Sequence, residues 1–556
     1  MESKSNSNNK HIENNPSDYD RYDILKRELM NQGRIEDLDS IIELMNPPKD
    51  IKEICKNKFS GNIKVAIVGA GEAGLAAASE LKKIGCNITI FEASKRVGGR
   101  AYTYYFDRLN KSYCEFGEKN LPISHNTTWH YINSLNLQTS KCKEYSSLYY
   151  LRDEGPYKKR KDIVSNIYTK YLLNNKDINL LKHKDLNKVI RKYLNSMTKE
   201  ERRELLEIKE SYSNKFLATD ELSYKEIYKK QGLSEEGISL LSLLNNDKEY
   251  LGYALTEKLN KYYTLDEINQ YEINGGMINL PLALYEALLN DDNIFYKNLE
   301  KDNLGIVNVR FSTLAEGIYN NKDKVRVKYK NIESNNEMEE LFDFVIVAIP
   351  PISIRKIDFN KSISYEKIRA INEINFETKD SIYLYFKENL WDSLFKARKD
   401  YKGNIITDLP LGFISYKEEK NISYKGNKVL LSASSTAKLA RNIGNMNDDH
   451  KVMEILKYLE RLYKLDNGYL NNKLLDYKSL NWKDVQFIYG YETINKPYDK
   501  TLYSYIISKA EMNNKLFLAG EYTSSKHGTQ QGELQSGMIA ANKVAEEINN
   551  KDIFNL

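Results

Sequence analysis

The chain has 556 residues, of which 41% are hydrophobic, and its 83 basic residues nearly balance its 78 acidic residues, giving a net charge of +5. This length predicts about two to four domains. The balanced charge and the lack of a basic stripe argue against nucleic acid as the main partner, so we predict no nucleic-acid binding.

The start of the chain and its cysteines indicate a compartment. No apolar run approaches the ~18 residues of a membrane span, and the polar N-terminus lacks the apolar core of a signal peptide. The four cysteines, at positions 55, 86, 114 and 142, have neither paired nor metal-type spacing. We therefore predict a cytoplasmic protein with no membrane association, no disulfide framework and no metal site.

The first 61 residues precede any motif that carries chemistry. Residues 1–18 are rich in Asn and Ser and are predicted to form a disordered tail. From Tyr19 to Met45 the apolar residues recur at helical spacing, and a pair of prolines ends that segment. We expect residues 19–61 to form a helical lead-in that packs against the main body.

A glycine-rich turn between a strand and a helix follows. Gly69 permits a tight turn, Gly71 lets the backbone approach a pyrophosphate, and Gly74 lets the helix pack on the strand. The β-branched run 87–91 predicts a second buried strand, and Glu92 at its end can accept hydrogen bonds from ribose hydroxyls. The pattern predicts a dinucleotide site for a plain ribose, without choosing between NAD and FAD.

The central part of the chain has a different character. Residues 150–265 are charged, leucine-rich and helical, and capping-box patterns start at Thr198 and Ser223. A helical insert of this size covers a substrate site, makes a subunit contact or is simply a structural lobe. The residues leave these three interpretations open.

Strand-like and helical runs then alternate to the C-terminus. A glycine turn leads into a helix that is predicted to start at Pro281. Apolar runs predict four strands, at residues 325–329, 342–350, 382–386 and 429–432. The segment 515–521 repeats the earlier pattern of a strand followed by a glycine and an acidic residue. A further helix is predicted from Met538 to about Ile548. The nucleotide-binding fold is therefore expected to be split, with its end pieces enclosing the substrate elements.

Five segments in this order resemble the FAD-dependent amine oxidases, which include L-amino acid oxidases, monoamine oxidases and polyamine oxidases. The segments are residues 69–74, 92–93, 96–100, 275–281, and 518–521 with Ser536 and Gly537. The resemblance covers nearly the whole chain from about residue 62. Within the family, the chain resembles the bacterial L-amino acid oxidases most.

The resemblance implies an α/β fold with a split Rossmann-like FAD-binding domain, an inserted mixed β-sheet substrate domain and a helical subdomain. The FAD-binding domain is expected in three parts, residues 62–120, 266–350 and 481–556. Residues 121–265 are expected to form a substrate and helical domain, and residues 351–480 a substrate domain.

The cofactor that the resemblance implies is FAD. Glu92 would take the adenosine ribose, Arg100 would neutralise flavin phosphate, and Glu521 would meet the ribityl–phosphate end. Backbone atoms of Ala315 would lie near adenine. The implied FAD-binding set is Gly69, Gly71, Glu72, Ala73, Gly74, Glu92, Ala93, Gly99, Arg100, Gly117, Ala315, Gly520, Glu521, Gln530 and Gln531. Monoamine oxidases tether flavin through a C-terminal cysteine, whereas all cysteines here precede residue 143, so FAD should be non-covalent.

The reaction that the resemblance implies is oxidative deamination. A small amine or amino acid is oxidised to an imine, and dioxygen is reduced to hydrogen peroxide. Two alternatives remain open: a flavin monooxygenase or desaturase acting on a specialised metabolite, and a flavin-binding protein whose oxidase site has decayed. The resemblance also leaves room for a homodimer.

Three positions depart from the family pattern at the substrate end. Asn120 replaces the arginine that clamps the substrate carboxylate, and Thr529 replaces a tryptophan of the pocket wall. Both are predicted to bind substrate. The lysine that many members hold near the flavin aligns with Ser381, but Lys379 lies two residues earlier on the same face of a strand. Lys379 is therefore the predicted catalytic residue.

Four further side chains are weaker candidates. His125 and His130 flank a predicted helix start, where a structural role is favoured over catalysis. Trp482 and Tyr489 either line the pocket or belong to the core, and aromatic residues at such spacing are more often core.

Overall fold

The computed structural model describes residues 15–55, 63–107, 112–143, 147–158, 160–167, 170–183, 187–386, 404–409, 413–420, 427–436 and 445–554. Most of the predicted disordered tail, residues 1–18, lies outside the described residues. No helix within the described ranges is both long enough and apolar enough to cross a membrane.

The elements are numbered in chain order over the described residues. The helices are α1 Asp18–Asn31, α2 Leu38–Met45, α3 Ile51–Ile54, α4 Glu72–Lys82, α5 Asn126–Ser134, α6 Arg160–Ile167, α7 Asn175–His183, α8 Asn187–Asn195, α9 Lys199–Arg203, α10 Asn214–Asp220, α11 Tyr224–Lys230, α12 Glu235–Leu244, α13 Leu255–Tyr263, α14 Asn279–Leu289, α15 Pro351–Ile354, α16 Tyr365–Glu373, α17 Asp448–Tyr463, α18 Tyr505–Ser508 and α19 Gln530–Phe554. The strands are β1 Lys64–Val68, β2 Asn87–Phe91, β3 Thr103–Asp107, β4 Ser112–Glu115, β5 Thr139–Lys141, β6 Ser147–Leu151, β7 Glu154–Tyr157, β8 Tyr271–Ile273, β9 Val307–Arg310, β10 Thr313–Asn321, β11 Lys324–Asn331, β12 Glu337–Phe342, β13 Phe344–Val347, β14 Phe376–Glu377, β15 Lys379–Phe386, β16 Asn404–Thr407, β17 Phe413–Lys420, β18 Asn427–Thr436, β19 Leu474–Asn481, β20 Glu492–Thr493 and β21 Leu516–Leu518.

A five-stranded parallel sheet forms the centre of the nucleotide-binding part, in the order β21-β13-β1-β2-β9. Its central strands are apolar because both faces of a parallel sheet are covered, and Val65 to Ile67 are fully buried. The sheet draws its strands from residues 64–68, 87–91, 307–310, 344–347 and 516–518. The predicted α/β class with a split Rossmann-like domain is therefore confirmed.

Two glycines allow the helices to pack closely beside this sheet. A Cβ on Gly74 of α4 would lie 2.0 Å from the Gly69 carbonyl oxygen, and one on Gly537 of α19 would lie 2.2 Å from the Ala73 carbonyl oxygen. Helix α19 begins at Gln530, eight residues before the predicted start at Met538. Gly532 and Gly537 therefore both lie within this helix.

The second sheet is a mixed sheet of seven strands, in the order β19-β15-β18-β17-β16-β6-β7. All its neighbours are antiparallel except β16 and β6. Helix α17 packs on it, and both contribute to one apolar core. This sheet confirms the inserted mixed β-sheet; its hairpin β6–β7 extends into the stretch from residue 150 that was expected to be helical.

Helices α6 to α13 form the helical part, and α1 and α2 of the lead-in share its apolar core. The capping boxes predicted at Thr198 and Ser223 are both present. Helix α2 ends at Met45, immediately before the proline pair, as predicted. The buried Arg21 of α1 donates hydrogen bonds to the Ile123 carbonyl oxygen and to Asn126, which fixes the lead-in to α5.

Candidate functional site

A cavity of about 420 Å³ lies at the carboxyl ends of β1, β2 and β13, where open parallel sheets bind their ligands. Most of the predicted site residues line it: Gly69, Gly71, Glu72, Glu92, Ala93, Gly99, Arg100, Gly117, Ala315, Gly520, Glu521, Thr529 and Gln530. Five predicted residues are not among its lining: Ala73, Gly74, Asn120, Lys379 and Gln531. The fold thus brings together residues that are hundreds of positions apart.

The turn from β1 to α4 forms one wall of the cavity. Gly69 has a φ of +107°, and a Cβ there would lie 2.5 Å from the Ala348 carbonyl oxygen, so the turn requires glycine. Apart from its chain neighbours, no atom of the described residues lies within 4 Å of a Cβ built on Gly71, at the N-cap of α4. The space beside Gly71 and the positive end of the helix dipole suit a phosphate group.

Glu92 stands at the carboxyl end of β2 with its carboxylate fixed by the backbone. Its Oε2 accepts a hydrogen bond from the Ala70 N–H at 2.7 Å, and its Oε1 accepts one from the Ser94 N–H at 2.8 Å. Each oxygen keeps a lone pair, so the group can still accept hydrogen bonds from two neighbouring hydroxyls. Glu92 therefore fits a ribose in both position and chemistry.

Arg100 is the centre of a charge cluster in the middle of the cavity. Its Nη1 donates to Glu521 Oε1 at 2.8 Å and to the Tyr491 carbonyl oxygen at 2.9 Å, and its Nη2 donates to Glu533. Burial lowers the pKa of Arg100, but the two carboxylates raise it more, so the net shift is upward. The buried Glu521 also accepts hydrogen bonds from Thr493 and the Gly528 N–H.

Gln530 and Gln531 are neighbours on α19 but point to different surroundings. The buried Gln530 donates to Glu72 through Nε2, while its Oε1 has no hydrogen-bond partner among the described residues. Gln531 Oε1 accepts from the N–H groups of Thr127 and Thr128, and its Nε2 donates to the Met45 carbonyl oxygen. The geometry supports a ligand contact for Gln530 and shows a structural role for Gln531.

Ala73 and Gly74 also serve the scaffold, because they form the contact surface of α4 described above. The unpartnered Gln530 oxygen, the open space at Gly71 and the free lone pairs of Glu92 all face one cavity. Ala315, at a β-bulge of strand β10, lines the same cavity as Glu92. This set of donors and acceptors fits a dinucleotide such as FAD.

Lys379 lies just behind the cavity wall, against Tyr491. Its Nζ is 3.1 Å from the Tyr491 hydroxyl and 4.3 Å from the centre of that ring, and the hydroxyl donates to the Gly117 carbonyl oxygen at 3.3 Å. Burial lowers the pKa of Lys379, against the opposite effect of Glu492 and Glu118. Tyr491 and Gly117 line the cavity, so only the Tyr491 side chain separates Lys379 from a ligand bound there.

Asn120 lies on an exposed loop outside the lining, where its Nδ2 donates to Gln270 Oε1 at 2.8 Å. Its placement does not support the predicted substrate-binding role, because the loop turns the side chain towards Gln270. Thr529, in contrast, lines the cavity and donates to the Lys526 carbonyl oxygen through Oγ1.

We expect Asn120→Arg to leave the KM for an amino-acid substrate within about twofold of wild type, because a charge on this exposed loop is screened by solvent. The measurement is steady-state peroxide release at low and high ionic strength. A gain in amino-acid turnover that disappears at high salt would instead show that the side chain at position 120 interacts with the substrate.

The weaker candidates divide between core and wall. His125 is buried, with its Nε2 3.5 Å from Asp266 Oδ1, and burial lowers the pKa of its imidazole. Burial also lowers the pKa of His130, to about 4. Trp482 is fully buried and donates to the Phe116 carbonyl oxygen. Tyr489 does line the cavity.

Sequence reasoning missed Glu118 and most of the segment 485–491, which form a large part of the wall. Phe487 and Tyr489 have φ values of +69° and +59°, which are uncommon for bulky residues and concentrate at functional sites. The Phe487 carbonyl oxygen accepts a hydrogen bond from Ser353, 134 positions away, a contact with no signal in the local sequence.

Comparisons with known proteins agree with this geometry. The sequence profile of the flavin containing amine oxidoreductases matches residues 73–545. The chain is 26% identical to a putative L-amino-acid oxidase of Bacillus subtilis, over 91% of this chain and 99% of that protein. It is 27% identical to the L-amino-acid oxidase of Sistrurus catenatus edwardsii, over 89% of this chain and 90% of that protein.

Solved structures support the fold. A variant of putrescine oxidase superimposes with a TM-score of 0.64 at 16% identity, covering 87% of this chain and 99% of that one. Cyclohexylamine oxidase from Brevibacterium oxydans gives a TM-score of 0.63 at 14% identity, with coverages of 88% and 99%. Since the family profile matches most of its length, the chain belongs to the flavin-containing amine oxidoreductases, flavoenzymes that carry out oxidative deamination.

Proposed function

We propose that the protein oxidises the C–N bond of an amino acid to an imine with a non-covalently bound FAD, and that dioxygen is reduced to hydrogen peroxide. The observation that carries this proposal is that Glu92, Gly117 and Thr529 all line one cavity. A dinucleotide bound there would have its redox end beside Tyr491, with Lys379 behind that ring.

The residues that would hold the cofactor follow the cavity in order. Ala315 would lie at the adenine, Glu92 would accept hydrogen bonds from the ribose hydroxyls, and Gly71 would admit the pyrophosphate at the start of α4. Gly520, Glu521 and Gln530 would meet the ribityl and ring end. When bound, the flavin supplies the electron acceptor for the amine and returns the electrons to dioxygen.

The amino-acid class rests on the curated relatives, which are L-amino-acid oxidases matched over about nine-tenths of the chain. An amine without a carboxylate is the second candidate, because Arg100, a basic group that lines the cavity, is already paired with Glu521 and Glu533. A substrate carboxylate would need a cation that Arg100 does not offer.

A peroxide-release screen with the purified protein tests both candidates. The substrates are the common L-amino acids, their D-enantiomers, putrescine, spermidine and cyclohexylamine, and anaerobic bleaching of the flavin is followed in parallel. Peroxide with L-amino acids supports the first candidate and peroxide with amines alone supports the second. Bound flavin that no substrate bleaches would contradict oxidase function and favour a decayed site or another flavin reaction.

Non-covalent binding gives a separate prediction. None of the four cysteines lines the cavity. We expect acid precipitation of the protein to release all of its yellow colour into the supernatant, where chromatography should identify FAD. Flavin that stays with the pellet after denaturation would contradict non-covalent binding.

A further inference from the structure

Glu118 is a carboxyl group that lines the cavity. It follows Gly117 in the loop after β4, and its Oε2 accepts a hydrogen bond from the Gln530 N–H. No hydrogen bond to its Oε1 is found within the described ranges of the chain. One oxygen is thus fixed by the backbone and the other is available to a ligand in the cavity.

Glu118 lies near the residues beside which the redox end of the cofactor is proposed to bind. The Gly117 carbonyl oxygen accepts the hydrogen bond from Tyr491, and Tyr491 in turn contacts both Lys379 and Arg100. Thr529 and Gly528 line the same end. A substrate amine presented to the flavin ring from this side would lie beside the Glu118 carboxylate.

Several charged groups act on Glu118 from the surrounding elements. Burial raises the pKa of Glu118 to about 8; the Gln530 N–H lowers it, Asp266 raises it, and Lys526 and Lys261 lower it. Further charged or titratable groups that interact with it electrostatically are Glu72 on α4, Lys379 on β15 and Tyr491. Glu118 therefore changes charge near neutral pH, where most carboxyls are already ionised.

A substrate amine must lose a proton before it can be oxidised. An aliphatic ammonium is largely protonated at pH 7, since amines of the lysine type have a pKa near 10. The ammonium form has no lone pair on nitrogen, and the lone pair is what assists removal of the C–H electrons. A nearby group that accepts this proton makes the bound amine reactive.

We propose that the Glu118 carboxylate accepts the proton from the substrate ammonium, as the general base of the reaction. One N–H bond breaks, one O–H bond forms at Oε1, and the electron pair of the broken bond stays on nitrogen as the lone pair of the neutral amine. This inference rests on the proposed oxidase function. It holds for an amino acid and for an amine, because both carry the same ammonium.

The test compares wild type with Glu118→Gln, using the best substrate of the peroxide screen. For wild type, kcat/KM from anaerobic flavin bleaching should rise with pH and level off above about pH 8, because the carboxylate is present only above its pKa. In Glu118→Gln the rise in kcat/KM should occur at a higher pH, near the pKa of the substrate ammonium group. At pH 7 kcat/KM should fall about 100-fold, and above pH 10 the difference should shrink to a few-fold.

Two variants separate chemistry from folding. Glu118→Asp keeps a carboxylate and should retain the rise near pH 8 with a lower plateau. Glu267→Gln removes an exposed acid beside Asp266, outside the cavity, and should leave the profile unchanged. A pH titration of the flavin absorbance without substrate gives a second readout, in which a transition near pH 8 should be present in wild type and absent in Glu118→Gln.

The outcomes distinguish the two proposals. Flavin bleaching with the same pH profile in wild type and Glu118→Gln would overturn the role of Glu118 and leave the oxidase function intact. Bound flavin that no substrate of the screen bleaches would overturn the oxidase function, and the role of Glu118 with it.

Discussion

Replacing Gly71 with alanine is expected to give a stable protein that no longer retains flavin. Apart from the neighbouring residues in the chain, no described atom lies within 4 Å of the added methyl group, and the φ of −73° at this position suits alanine. The lower chain entropy of alanine stabilises the fold and the weaker N-cap destabilises it, each by about 1 kcal/mol, so the two effects offset each other. The methyl group would instead occupy the space of the pyrophosphate.

We expect flavin affinity to fall at least about 100-fold, equivalent to about 2.8 kcal/mol, with little change in the melting temperature of the apoprotein. Flavin content per protein and thermal unfolding are the measurements. Gly252→Ala, also with no atom within 4 Å, should retain flavin, whereas Gly74→Ala should destabilise the fold itself because its methyl group meets the Gly69 carbonyl oxygen. Full flavin content in Gly71→Ala would show that the cofactor binds elsewhere.

Replacing Lys379 with methionine is expected to lower kcat about 100-fold while flavin content and KM stay near wild type. Methionine keeps most of the length and apolar volume of the side chain but neither donates nor accepts a proton. Lys379 is held against Tyr491, which lines the cavity, and its lowered pKa increases the neutral fraction that can exchange a proton. Loss of one proton-exchanging group at such a distance costs about 100-fold or more.

The measurements are the anaerobic rate of flavin bleaching and the separate values of kcat and KM. Lys119→Met is the matched control, because the Lys119 ammonium lies 5.0 Å from the centre of the Tyr383 ring and not behind Tyr491. A loss confined to KM, or an equal loss in both variants, would assign Lys379 a structural role.

The nucleotide-binding half was predictable because its signals are local. The strand runs, the glycine spacing and Glu92 lie within about 30 residues, and each has a direct physical meaning at its own position. Arg100 and Glu521, 421 positions apart, were brought together only through resemblance to a family, since no local pattern links them. The placement of these two residues in one ion pair is a finding of the structure.

Some predicted site residues do not line the cavity, because the tertiary environment decides between equivalent residues. Gln530 and Gln531 are the same residue type, but adjacent positions on a helix point about 100° apart, so only one faces the cavity. Glu118 escaped prediction because its neighbours come from α19 and from the loop around Tyr491, over 370 positions away. Asn120 was predicted to bind substrate because its spacing in the sequence matches the arginine position of the family motif. Spacing does not determine the direction in which a loop turns its side chains.

The strand order of the parallel sheet also has a consequence for how the protein is made. Strand β21 and the carboxylate of Glu521 are synthesised long after β1 and Gly69, which begin the same site. At about 5–20 residues per second, the 421 positions between Arg100 and Glu521 take about 20–80 s to synthesise. Until β21 is made, β13 lacks its partner on one edge and Arg100 lacks Glu521, so we expect cofactor capture to follow synthesis of β21 and α19.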